Sequence, residues 1–191
     1  QNRVSQEVRV RFSLRPPKGM EINKQNNLLE LFYQQYLREK PDQIFLKSLK
    51  NLDNEFTWKE TYLNILKLSQ ELSLFIENKD RCLLISENRP EWMITDLAIM
   101  LSKGITVPAY ITYVERDYEY LIDDCKPSIL IVSDHLQYNK IKNIIKSKPF
   151  IKKILSFEEI KDAKDVVCIK NIFKKEKYQE KNFLNLDISR K

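Results

Sequence analysis

One stretch, Arg81 to Tyr113, constrains the fold more than any other part of the chain. Cys82-Leu83-Leu84-Ile85-Ser86 is a short apolar run of the kind that forms a strand buried on both faces. Glu87-Asn88-Arg89 breaks it. Pro90 then suits the first turn of a helix, where its missing N–H costs nothing, and Glu91 complements the helix dipole. Trp92, Ile94, Leu97, Ala98 and Leu101 supply a broad apolar face through about Ser102. Gly104 sits just past that helix, where a left-handed residue is cheapest for glycine. Ile105-Thr106-Val107-Pro108-Ala109-Tyr110 reads as the next strand. The pattern predicts a βαβ unit with parallel strands, and therefore an α/β chain.

The same stretch carries a family resemblance. SENRPEW at Ser86–Trp92, DLAIM at Asp96–Met100, GITVPAY at Gly104–Tyr110 and YLIDDCKPSILIVSD at Tyr120–Asp134 follow one another in order. Together they resemble the front part of a long-chain fatty-acyl-CoA synthetase, an AMP-forming enzyme of the adenylate-forming superfamily. The resemblance runs from about Asn27 to Lys191. It implies the N-terminal part of a large domain, with a largely parallel sheet and flanking helices. It further implies that the complete enzyme uses ATP, Mg²⁺ and CoA to activate a fatty acid through an acyl-adenylate.

Around the central unit, the pattern predicts a helix from Leu28 to about Glu39, capped by Asn27, with Leu28, Leu31, Phe32, Gln35 and Tyr36 on one stripe. Strands at Gln43–Leu49 and Glu55–Thr57 follow. Thr57 and Glu60 have capping-box spacing for a helix to about Glu77. Downstream the expected elements are a helix at Glu115–Asp124 and a strand at Ser128–Val132. Ser133 or Asp134 then caps a helix running to about Ser147. A strand at Phe150–Leu155, an acidic helical turn near Phe157–Ile160 and a strand at Val166–Ile169 complete the set. Tyr178–Leu186 reads equally as helix or extended segment.

Charge is unevenly spread. Residues 1–19 carry a net +4 and residues 135–191 a net +8, so the middle is at −6 against a total of +6. Gln1–Gly19 holds four of the nine arginines and ends in Pro16-Pro17-Lys18-Gly19, which reads as a disordered or foreign leader before residues 20–191; a basic organelle presequence is the alternative. The C-terminal lysines have no aromatic stacking platform among them, so a solvated surface is preferred over nucleic-acid binding. Cys82, Cys125 and Cys168 lack paired metal-ligand spacing and read as ordinary thiols of a cytoplasmic protein. No amphipathic anchor stands out, though enzymes of the resembled group often work at membrane surfaces, so peripheral membrane contact stays open.

No residue receives a catalytic, cofactor-binding or metal assignment. A phosphate cradle needs backbone N–H groups brought close by glycines, and Gly19 and Gly104 are the only glycines in the chain. The family's phosphate loop and later nucleotide motifs have no counterpart here, so no cofactor is expected for this chain alone. Partners implied by the resemblance are fatty acid, ATP, CoA and the remainder of the same large domain. Arg89, with Asn88, stands where a parallel strand ends and could meet a phosphate or carboxylate; a polar tie between strand end and helix is the simpler reading. Glu87 and Glu91 flank the proline turn without a nucleophile partner. Asp123-Asp124 reads as solvated rather than metal-binding, and His135 as a helix-start residue. Trp92, Met93, Met100 and Tyr110 read as core before acyl-tunnel lining. The competing reading is a stand-alone acyl- or protein-binding module. A sheet cut short would leave an unpaired edge and an apolar patch, and no feature that covers such an edge is evident.

Overall fold

The computed structural model describes residues 27–50 and 54–178. The expected leader over Gln1–Gly19 and nearly all of Tyr178–Leu186 lie outside them. In chain order the elements are α1 (Leu28–Tyr36), β1 (Ile44–Lys47), β2 (Glu55–Thr57), α2 (Trp58–Leu72), β3 (Arg81–Ile85), α3 (Pro90–Leu101) and β4 (Ile105–Ala109). They continue with α4 (Glu115–Cys125), β5 (Ile129–Val132), α5 (His135–Ile141), β6 (Lys153–Ser156), β7 (Val166–Cys168) and α6 (Ile169–Phe173).

β3 to β7 form one parallel sheet in the order β4-β3-β5-β6-β7, while β1 and β2 make a separate antiparallel pair. The central strands are parallel because each connection carries enough chain to cross back over a sheet face. They read as unbroken apolar runs because helices cover both faces. Alternate residues then serve two separate cores. Cys82, Leu84, Ile129, Ile131 and Leu155 pack with Leu29, Ile65, Leu66, Leu97 and Ile172, which come from α1, α2, α3 and α6. Leu83, Ile85, Leu130 and Val132 pack on the other side with Tyr118, Ile122 and Ile141, from α4 and α5.

Local signals hold where the physics is local. Asn27 Oδ1 accepts from Glu30 N at 2.9 Å, and the Thr57/Glu60 capping box is complete. Asp134, rather than Ser133, caps α5 by accepting from Gln137 N. Other expectations need correction. In α1, Leu28 is exposed and Leu29 and Phe32 face the core, so the apolar stripe is rotated by about one residue. α1 also stops short of Glu39. α2 stops at Leu72 rather than Glu77, because the Ser73 hydroxyl bonds back to Ser69 O and the chain then turns. α5 stops at Ile141; only a 3₁₀ turn at Ile145–Ser147 follows. The strand read at Phe150–Leu155 is β6, shifted toward Ser156, and Phe157–Ile160 is a bend and not a helical turn.

Gly104 serves a different purpose from the one expected. Lys103 takes the left-handed conformation, with φ 64°. Gly104 is small because of its surroundings: an added Cβ would lie 3.0 Å from Ile99 Cγ2 and 3.1 Å from Ile76 Cδ1. The free side of β4 is also better protected than expected. Ile105 N donates to Asp80 O on the β3 side, so by alternation the positions of Thr106 and Pro108 face outward. Pro108 places a residue with no N–H on that edge, a recognised defence against pairing with another strand.

Candidate functional site at the carboxyl ends of the sheet strands

β3 connects to a neighbour on one side, β4, and the chain then crosses to the other side at β5. The strand order reverses between β3 and β5. Open α/β sheets form their ligand crevice at such a point, beyond the carboxyl ends of the strands. Here that region is built by Ser86–Arg89 after β3, Ser133-Asp134 after β5, and Ser156–Glu158 after β6.

Arg89 dominates it. Its Nε lies 3.0 Å from Glu91 Oε2 and its other terminal nitrogen, Nη2, 3.1 Å from Glu91 Oε1, a bidentate fork. Nη1 reaches Glu158 at 3.3 Å and Glu87 at 3.5 Å. The guanidinium carbon stands 5.3 Å from the centre of the Phe157 ring. Glu91 is 1% exposed and also accepts from Asn54 Nδ2 at 3.1 and 3.2 Å. Burial alone would raise the Glu91 carboxyl, but the bonds and charge of Arg89 outweigh it and hold the pKa below its ordinary value. Burial pulls Arg89 down in the same way, and its glutamate partners reverse that too.

One guanidinium thus serves three carboxylates, and the group carries a net negative charge. Nε, Nη1 and Nη2 of Arg89 are all engaged by carboxylates, which leaves no two-donor fork for a phosphate. The simpler reading is the one the structure shows: Arg89 ties the end of β3 to α3, to the loop after β6 and, through Glu91 and Asn54, to the β1–β2 pair. Asn88 is exposed beside it. Asn54, Phe157 and Glu158 carry no sequence signal, because they lie 35 to 69 residues from Arg89 in the chain and no local spacing links them.

The three strand-end serines are turned inward on their own loops. Ser86 Oγ donates to Glu87 O at 2.7 Å, Ser156 Oγ to Glu158 O at 2.6 Å, and Ser133 Oγ to Asp134 Oδ2 at 3.2 Å. His135 opens α5 in an exposed position and its ring sits by Asn139, not by a hydroxyl that it could activate. Asp123 pairs with Lys148. Trp92, Met93 and Met100 are partly buried against the core. Tyr110 is 71% exposed and stands outside the described core, contrary to the core reading. Its carbonyl accepts from Tyr118 Oη at 2.7 Å, and Lys140 Nζ holds the same loop through Ile111 O and Tyr113 O. Burial pushes the Tyr118 phenol up to about 12, so it remains a donor.

The described residues do not fit a nucleotide triphosphate or its metal. The strand-end loops lack glycine, their cation is neutralised, and no group of acidic, histidine or cysteine residues able to hold a metal ion occurs among the described residues. No helix among them is long and apolar enough to cross a membrane.

Comparison with known proteins gives this arrangement a setting. The family model described as "AMP-binding enzyme" matches residues 33–186. The long-chain-fatty-acid–CoA ligase ACSBG2 of Gallus gallus is 28% identical over 162 residues, covering 83% of this chain and 21% of its own length. The long-chain-fatty-acid–CoA ligase ACSBG1 of Rattus norvegicus is 26% identical over 88 residues, covering 46% of this chain and 12% of its own. This chain therefore spans about a fifth or less of these relatives. Among solved structures, a coronafacic acid ligase variant from Pectobacterium brasiliense superposes with a TM-score of 0.69 at 18% identity, covering 81% of this chain and 30% of that one. Acetoacetyl-CoA synthetase from Streptomyces lividans gives 0.61 at 14% identity, with 78% and 25% covered. Both share the fold. With four fifths of its residues matched by the family model, and the parallel sheet shared with ligases of this kind, the chain belongs to the AMP-binding, adenylate-forming enzyme family.

Proposed function

We propose that this chain forms the N-terminal part of the large domain of a long-chain fatty-acid–CoA ligase. The observation that carries this is the family match over residues 33–186, together with an alignment of 162 residues to a long-chain ligase. The complete enzyme would take ATP with Mg²⁺, a fatty acid and CoA, form an acyl-adenylate, and transfer the acyl group to the thiol of CoA. On this reading the segment contributes a scaffold: none of its described residues is placed to hold a phosphate, and the Arg89 cluster occupies its strand-end crevice. The chain alone is inactive on this reading. The test is to follow the transcript past the codon for Lys191 and assay acyl-CoA formation from ATP, palmitate and CoA by both products. A frame that continues into a Ser/Thr/Gly-rich loop with a lysine, and activity only in the longer product, is expected. Acyl-CoA formation by the 191-residue chain would overturn the scaffold reading.

A second reading has one observation in its favour. Both faces of the sheet are covered, and Pro108 guards the β4 edge, as in a module that folds alone. A stop codon directly after Lys191, with a soluble product that unfolds cooperatively, would favour it. Acyl-chain and protein-partner binding would then be the assays. The cytoplasm, with peripheral membrane contact, is proposed as the place of action for either reading.

A further inference from the structure

Three tyrosines meet where α1 lies on α2. Tyr33 and Tyr36 are one helical turn apart on α1, so they share a face, and Tyr62 comes from the N-terminal half of α2. All three are partly buried against the core that these helices cover. Their contacts are unequal. Between ring centres, Tyr33 stands 5.9 Å from Tyr62 and 6.2 Å from Tyr36. Tyr36 and Tyr62 are only 4.3 Å apart, with 8° between their planes. Parallel rings in van der Waals contact lie about 3.5 Å apart, so this separation leaves a sideways offset of about 2.5 Å. An edge carbon of one ring then sits over the other ring at about 3.5 Å, within the range from which a bond can form. By contrast, Tyr110–Tyr113 and Tyr113–Tyr118 meet edge-on at 5.6 and 5.8 Å.

We propose that Tyr36 and Tyr62 are a site of oxidative modification, where a one-electron oxidant (a peroxidase with hydrogen peroxide) joins the two rings as dityrosine. Each phenol loses one electron and one proton, and the unpaired spin of each phenoxyl spreads to the ring carbons beside its oxygen. One such carbon from each ring forms the new C–C bond. The hydrogen on each joined carbon then moves to its own oxygen, which restores both phenols. Hydrogen peroxide takes up the two electrons and two protons and leaves as two waters. The bond closes a loop that contains β1 and β2, and so fastens α1 and that strand pair to α2. The geometry holds whether or not the parent protein is a ligase.

The test treats the 191-residue chain with peroxidase and hydrogen peroxide and identifies joined peptides by tandem mass spectrometry. A monomer lighter by two hydrogens is expected, with dityrosine fluorescence and a digest that links Tyr36 to Tyr62. Tyr36→Phe keeps a ring in the stack, and should abolish the link with circular dichroism unchanged; Tyr33→Phe should leave it. Oxidation in urea above the unfolding transition should lower the Tyr36–Tyr62 yield at least about tenfold, because folding alone holds the rings together. That comparison needs no variant. A link from Tyr33 to Tyr62, links only between chains, or an equal yield in urea overturns the proposal. So does oxidation of the exposed Tyr110 and Tyr120 that leaves Tyr36 and Tyr62 separate.

Discussion

Replacing Arg89 with methionine keeps most of the side-chain volume and removes the charge. Glu91, 1% exposed, would then retain only the Asn54 amide and its own backbone N–H as partners. Removing one member of a buried ion pair costs about 3–5 kcal/mol, because the remaining charge stays desolvated. With a urea m-value of about 2 kcal/mol/M, the denaturation midpoint at pH 7 should fall by about 2 M. The double variant Arg89→Met with Glu91→Gln removes the stranded charge and should recover much of that loss. The pH dependence has a definite sign. In the native chain the Glu91 carboxyl is depressed, so its stabilisation is present above the ordinary value near ~4.3 and is lost as pH falls through the folded value. In Arg89→Met burial is opposed only by the Asn54 and backbone hydrogen bonds, and the carboxyl rises. The penalty is then largest at pH 7 and shrinks as acid protonates Glu91. Urea titrations at pH 7 and pH 5 measure it. A midpoint shift below about 0.5 M at pH 7, or a double variant no better than the single one, would refute the reasoning.

Three further outcomes follow from the same structure. Asp96 on α3 is half-buried and forms no ion pair with a described residue; burial raises its carboxyl, and the Thr106 hydroxyl, which forms no well-aligned hydrogen bond, offsets this only in part. An acid raised in the folded state weakens folding as pH climbs past its unfolded value, so Asp96→Asn should increase thermal stability at pH 7 and change little at pH 3. Lys103→Gly should stabilise the chain by about 1 kcal/mol by relieving the left-handed side chain, whereas Gly104→Ala should cost about 1 kcal/mol or more as Ile99 and Ile76 are pushed aside; denaturant titrations give both. Burial, with the Asp80 charge added, pushes the Cys82 thiol up to about 12, so a disulfide reagent at pH 8 should leave it intact in the folded chain and modify it on unfolding.

The contrast between these sites explains what could be read from the sequence. The βαβ unit, the Thr57/Glu60 box and the buried strands depend on residues at most a few positions apart, and the chain states them directly. The order of the strands was not legible, because β3 pairs with β5 across more than forty residues that no local pattern links. The ends of α2 and α5 were missed for a related reason: apolar periodicity continued past the point where Ser73 and the 3₁₀ turn interrupt the backbone. At the candidate site, Pro90 and Glu91 were recognised as helix-start residues. Glu91's burial is invisible in the sequence, since its partner Asn54 lies 37 residues away. Gly104 reads in the sequence as the left-handed residue after α3, whereas Lys103 takes that conformation and Gly104 is required by the close approach of Ile99 and Ile76.

The placement of β3 has a consequence for how the molecule can be observed. β3 is hydrogen-bonded on both sides, by β4 and β5, and is covered by helices above and below. Its amide protons can meet solvent deuterium only when the sheet comes apart, so their exchange rates report the free energy of global opening. On β4 next to it, Ile105 and Val107 point inward, Thr106 points out, and Pro108 has no proton to exchange. Two adjacent strands thus carry a slow clock and a fast one. Their ratio separates fraying of the sheet edge from loss of the whole fold, within a single deuterium-exchange experiment.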